Sequence, residues 1–176
     1  MEQTRRGLVQ VYTGDGKGKT TASVGLAVRA VGSGMQVAFI QFVKGGVRSG
    51  ELAMLEKLGI RVERPAERST GLLGAGIHDD DHAAADAAWA LAKDVLASGV
   101  YDLVIMDELN IAMRYELVST DEVLSALDAR PLATEVVITG RGAPEEIIER
   151  ADLVTEMVLV KHPFDAGVSA RKGIEY

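Results

Sequence analysis

The chain of 176 residues contains no cysteine. Disulfides, thiolate nucleophiles and thiolate metal ligands are therefore excluded. Positive charge is in deficit: 19 Lys and Arg stand against 26 Asp and Glu, for a net charge of −7. A general nucleic-acid binder wants a basic face, so no nucleic-acid partner is expected. No apolar run reaches membrane length, and the polar opening residues 1–6 hold no apolar signal core. The expectation is a cytoplasmic protein without a membrane partner. Internal repeats, low-complexity segments and linkers are missing too. A hydrophobic content of 47% suits a globular chain, and one domain over residues 1–176 is expected.

What is present centres on Val9-Gln10-Val11-Tyr12-Thr13-Gly14-Asp15-Gly16-Lys17-Gly18-Lys19-Thr20-Thr21. A short apolar run enters a glycine-rich turn, and Lys-Thr-Thr opens a helix. This is the layout of a phosphate-binding P-loop. Glycines let the backbone curl until several N–H groups point into one concave space, and the helix adds the positive end of its dipole. Lys19 is placed to reach the outer phosphates, and the Thr20 hydroxyl to bind the Mg²⁺ that bridges them. The spacing departs from the usual one. Thr13 holds the first glycine position and Gly14 comes one residue late, with Gly16 and Lys17 as additions.

The remaining chain alternates strands and helices. Strands are predicted at residues 8–12, 36–42, 60–63, 102–106, 135–139 and 152–160. Helices are predicted from Lys19 to the stop at Gly32-Ser33-Gly34, and at 51–58, 79–98, 121–129 and 145–150, with a shorter segment at 109–115. Nearly continuous apolar strands indicate a parallel sheet covered on both faces. The fold class is α/β, a three-layer P-loop NTPase-like arrangement with a mostly parallel central sheet. Ser119 and Glu122 have the spacing of a capping box, Pro144 suits a helix N1 position, and Phe164-Asp165-Ala166-Gly167 reads as an ordered turn. Trp89 falls on an apolar helix face as core.

Ligands of such sheets lie at the carboxyl ends of the strands. The strand at 102–106 ends in Asp107-Glu108, the second half of a P-loop nucleotide site, where the acids hold Mg²⁺ directly or through water. The same pair also suits the start of the following helix. Arg141, between Gly140 and Gly142 at a strand end, meets an anion or forms a turn. Lys44 in Lys44-Gly45-Gly46 touches phosphate or is solvated. Asp79-Asp80-Asp81 suits a helix dipole better than a metal site with His78 or His82. Residues 64–77 form the longest predicted loop, with Leu72 and Leu73 at its middle. These residues indicate Mg-ATP or Mg-GTP. They leave open whether attack falls on the γ-phosphate, as in a kinase or NTPase, or on C5′ of the ribose.

The chain resembles the P-loop ATP:cob(I)alamin adenosyltransferases, the corrinoid adenosyltransferase family. The resemblance is carried by residues 12–21, 37–44, 104–109, 126–131, 137–142 and 160–168. The Gly-Lys-Gly-Lys-Thr-Thr loop and the His162-x-Phe164-Asp165-Ala166-Gly167 segment are its most specific parts. It implies transfer of the 5′-deoxyadenosyl group of ATP to the Co(I) of a reduced corrinoid, with release of triphosphate. By match, Gly14, Asp15, Gly16, Lys17, Gly18, Lys19, Thr20, Thr21 and Arg141 bind ATP, with Asp15 near the ribose. Lys19 and Glu108 serve catalysis, and Thr20 and Glu108 hold Mg²⁺ or Mn²⁺. The implied partners are a flavoprotein reductant and a second copy of the chain, as homodimer. Two departures lie on the corrinoid side. Residues 70–76 carry Leu72 and Leu73 where the family has aromatic residues, and the N-terminal arm is reduced to residues 1–6.

Overall fold

The computed structural model describes residues 6–42, 50–64, 77 and 79–175. The strands are β1 (Val9–Thr13), β2 (Val37–Gln41), β3 (Arg61–Glu63), β4 (Leu103–Asp107), β5 (Glu135–Thr139) and β6 (Leu153–Glu156). The helices are α1 (Lys19–Gly32), α2 (Gly50–Lys57), α3 (Asp79–Ala97), α4 (Leu109–Arg114), α5 (Thr120–Ala129) and α6 (Glu145–Arg150). A 3₁₀ turn follows at Pro163–Ala166. The strands form one six-stranded sheet in the order β3-β2-β4-β5-β1-β6, and all pairs are parallel. The α/β P-loop NTPase-like expectation holds. Among the described residues no helix is long and apolar enough to cross a membrane.

The strand sequences explain the layering. β2 and β4 are buried at every position. Successive side chains point to opposite faces. Thus Phe39 and Ile105 pack with Ala27, Leu52 and Leu55 of α1 and α2. Their neighbours Ile40, Val104 and Met106 pack with Ala85, Ala88 and Trp89 of α3. The loops at the carboxyl ends of β1, β5 and β4 are thereby held side by side.

Several expectations shift in detail. The last strand was expected to run to Val160 and stops at Glu156. Its neighbour β1 ends opposite it, at the pair Thr13↔Glu156, because the chain then curls into the P-loop. Pro144 is the N-cap of α6 rather than its first residue. Half of the capping box forms: Ser119 Oγ accepts from the Glu122 N–H at 3.4 Å. The Glu122 carboxylate instead accepts from Trp89 Nε1 at 2.7 Å and Lys93 Nζ at 3.3 Å, tying α5 to α3. Trp89 is core, as expected. Asp79, Asp80 and Asp81 occupy the first turn of α3. Among the described residues no group of three or more His, Cys, Asp or Glu could hold a metal. His78, Lys44, Leu72, Leu73 and residues 1–5 lie outside the described residues.

Candidate active site

The loop after β1 is shaped by its glycines. Gly14 and Gly18 have φ of 91° and 123°, in the half of backbone space that side chains resist. Gly16 lies so close to the carboxyl end of β6 that a Cβ there would stand 2.6 Å from the Met157 carbonyl oxygen. The Gly16 N–H donates to that oxygen at 2.6 Å. α1 starts at Lys19 with no side-chain cap at Gly18, which leaves its first N–H groups and dipole to an anion.

Lys19 is buried and folds back over the loop. Its Nζ donates to the carbonyls of Gly14 at 2.6 Å and Gly16 at 2.8 Å. Burial lowers its pKa, and Arg141 adds to the effect, while Glu108, Asp15 and Asp107 oppose it. A phosphate oxygen can replace a neutral carbonyl as partner of this desolvated ammonium, with a stronger, charge-assisted hydrogen bond.

Asp107, at the end of β4, is fully buried. Its Oδ1 accepts from the hydroxyls of Thr20 at 2.9 Å and Thr139 at 2.7 Å. Its Oδ2 accepts from Gln41 Nε2 at 3.0 Å. The ends of β2, β4 and β5 and the start of α1 therefore meet on one carboxylate. Glu108 follows in the left-handed region at φ 63°, a conformation that strains a side chain by roughly 1–3 kcal/mol. It is the N-cap residue of α4, yet its side chain makes no cap hydrogen bond. Its N–H donates to Thr139 Oγ1 at 3.0 Å, and the residue lines the cavity above the P-loop.

That cavity measures about 680 Å³ and is bordered by Asp15, Gly16, Lys17, Gly18, Lys19, Thr20, Thr21, Glu108 and Arg141. The structure thus brings together the residues expected from the sequence, with Gly14 behind them as a partner of Lys19. Arg141 serves as turn and rim at once: Gly140 and Gly142 flank it at positive φ, and its guanidinium stands 4.0 Å from Asp15. Lys17 points across the cavity to Ile174 and Glu175.

Sequence reasoning missed Gln41 and Thr139 as supports of Asp107. The signal was a polar residue at the end of an apolar strand, Ile40-Gln41 and Ile138-Thr139. It also missed His162 and residues 173–175 on the cavity wall. His162 Nδ1 accepts from the Phe164 N–H at 3.2 Å, which leaves Nε2 as the donor of the neutral ring.

With this geometry established, comparison with known proteins places the chain. The model of a family described as ATP:corrinoid adenosyltransferase BtuR/CobO/CobP matches residues 5–176. The corrinoid adenosyltransferase of Pseudomonas aeruginosa is 43% identical over 97% of this chain and 84% of that protein. The corrinoid adenosyltransferase CobA of Salmonella typhimurium is 44% identical over 99% of this chain and 88% of that protein. The Escherichia coli corrinoid adenosyltransferase matches equally, 44% over 99% and 88%. A P-loop cavity built on β1, β4 and β5, together with these matches along nearly the whole chain, makes this protein a member of the ATP:corrinoid adenosyltransferase family.

Proposed function

We propose that this chain transfers the 5′-deoxyadenosyl group of ATP to the Co(I) of a reduced corrinoid, with the triphosphate of ATP seated in the cavity over residues 14–21. The Co(I) electron pair forms the bond to C5′, the C5′–O bond breaks, and triphosphate leaves with that bond's electrons. Membership of the family selects this bond over the γ-phosphate. The geometric observation that carries the site is the 2.9 Å contact of Thr20 with Asp107, which joins the P-loop to the strand end that completes it.

The nucleophile carries no proton, so no residue is needed as a base. The protein's work is electrostatic. Lys19, Lys17, Arg141 and the N–H groups at the start of α1 neutralise the triphosphate and hold it as leaving group. Asp15 stands on the rim in reach of a ribose. The donor set fits Mg²⁺ or Mn²⁺: the Thr20 hydroxyl and the Glu108 carboxylate both border the cavity, and Asp107 accepts from Thr20 behind them. A small hard cation takes one or two carboxylates and completes its shell with phosphate and water. Thr20 and Glu108 would hold it, while Asp107 orients Thr20. When bound, the cation offsets charge on the leaving triphosphate.

Three further features belong to this reading. The chain has no cysteine thiol to deliver electrons, and a flavoprotein reductant supplies the Co(I) corrinoid. The protein acts in the cytoplasm as one domain over residues 1–176. It is a homodimer, supported by an edge strand exposed at every position and by exposed Val158, Val160 and Phe164 beyond it.

The test is anaerobic turnover of Mg-ATP with chemically reduced cob(I)alamin. A light-sensitive adenosylated corrinoid with stoichiometric triphosphate is expected. Lys19→Ala should lower Mg-ATP affinity by about 100-fold, since it removes a desolvated charge-assisted contact. Steady release of ADP without a corrinoid product would transfer the protein to the NTPase reading.

A further inference from the structure

Lys17 is the additional lysine of the shortened loop, and its partners lie almost at the other end of the chain. Its Nζ donates to the Ile174 carbonyl at 2.9 Å and to Glu175 Oε1 at 3.1 Å. Glu175 is not a loose surface carboxylate. Arg171 fixes it through its backbone N–H to Oε2 at 2.7 Å, its Nε to Oε2 at 3.3 Å and its Nη2 to Oε1 at 3.1 Å. Both oxygens are thus engaged, in a fork that a guanidinium forms well with a planar anion. Glu175 borders the same cavity as Lys19 and Thr20. A fixed negative charge therefore stands on the wall of a site built for polyanions.

We propose that Glu175 is an internal stand-in for a phosphate: it positions Lys17 and competes with triphosphate for that lysine. The inference rests on the reading of this cavity as the triphosphate site. Like charges that share one cation exclude each other. An arriving triphosphate draws Lys17 from Glu175, which keeps its contacts to Arg171. After adenosyl transfer the triphosphate is free at both ends and carries one more ionisable oxygen than it did within ATP. Return of Lys17 to Glu175 then favours its departure. Glu175 accordingly weakens binding of free triphosphate more than binding of ATP.

The experiment is calorimetric titration of the full chain with inorganic tripolyphosphate and, separately, ATP, each with Mg²⁺. Glu175→Gln keeps the shape and removes the charge. It should tighten tripolyphosphate binding by about 3- to 5-fold, the scale of a solvent-exposed charge pair, and ATP binding by less. Glu175→Asp, which keeps the charge, should lie closer to the parent than Glu175→Gln does. In a Lys17→Met background most of the gain from Glu175→Gln should vanish, since the competition acts through that lysine. A merely structural role would predict weaker binding in every Glu175 variant. Unchanged or weaker tripolyphosphate binding by Glu175→Gln, or an equal gain without Lys17, overturns the proposal. If neither the parent nor any variant binds tripolyphosphate, the triphosphate reading of the cavity falls, and the proposal with it.

Discussion

β4 and β6 belong to one parallel sheet and have opposite surroundings. All five residues of β4 are buried, and all four of β6 are exposed. β4 lies between β2 and β5, with α1 against one face and α3 against the other. β6 is the edge strand, paired to β1 alone. The difference separates two ways of building a site. β4 places a charged side chain, Asp107, in a rigid interior where its partners are fixed. The residue after β6 gives backbone, the Met157 carbonyl that receives the Gly16 N–H, and the side chains of β6 stand exposed.

The sharpest way to break the β4 half is Asp107→Ala. It strands the donors of buried Thr139 and Gln41 and frees the Thr20 hydroxyl on the cavity wall. Each unsatisfied buried group costs about 1–3 kcal/mol, so a loss of roughly 2–4 kcal/mol is expected. Urea unfolding reads it as a lower midpoint with unchanged slope. The variant should also lose its response to Mg²⁺ in ATP binding. A variant of parent stability and metal dependence would show that the Asp107 cluster is dispensable.

A smaller effect tests the contact between the two halves. Gly16→Ala pushes a Cβ against the Met157 and Val158 carbonyl oxygens at 2.6 and 2.8 Å. The end of β6 must retreat from the P-loop, at a cost of about 1–3 kcal/mol. Gly25, inside α1, has nothing within 4 Å of an added Cβ. Gly25→Ala should therefore raise stability by roughly 0.5–1 kcal/mol. Thermal denaturation of the pair should shift in opposite directions; shifts of the same sign would refute the close packing assigned to Gly16.

The site was legible where its chemistry is local. Gly14 to Thr21 are contiguous, and their glycines, lysines and threonines announce the loop that borders the cavity without reference to distant parts. Asp107-Glu108 was legible because an apolar strand ending in acids is itself a short pattern. The supports of those residues are not local. Gln41 reaches Asp107 across 66 positions, and Lys17 meets Glu175 across 158. No spacing rule announces such pairs; they follow from strand order. The fold was legible in its elements and less so at their ends. Ser119 and Glu122 have capping-box spacing, yet packing of α5 on α3 gives the Glu122 carboxylate to Trp89. The apolar run to Val160 reads as strand, and β6 stops at Glu156 because pairing ends when β1 turns into the P-loop.

The mildest change in stability should come from the exposed half, and it sharpens the comparison through assembly. Val160 is 92% and Phe164 73% exposed. In an isolated chain, replacing both with aspartate removes little buried surface, and stability should move by less than about 0.5 kcal/mol. In a homodimer that covers this edge, the same two charges enter an apolar contact without partners and drive the copies apart. Sedimentation velocity should show a dimer for the parent and a monomer for the Val160→Asp, Phe164→Asp double variant. Urea unfolding at micromolar concentration should add a second signature. The parent's midpoint rises with protein concentration, because association stabilises the folded state by mass action, and the variant's midpoint does not. A parent that sediments as a monomer, or a double variant that remains dimeric, would separate the bare β6 edge from dimer formation.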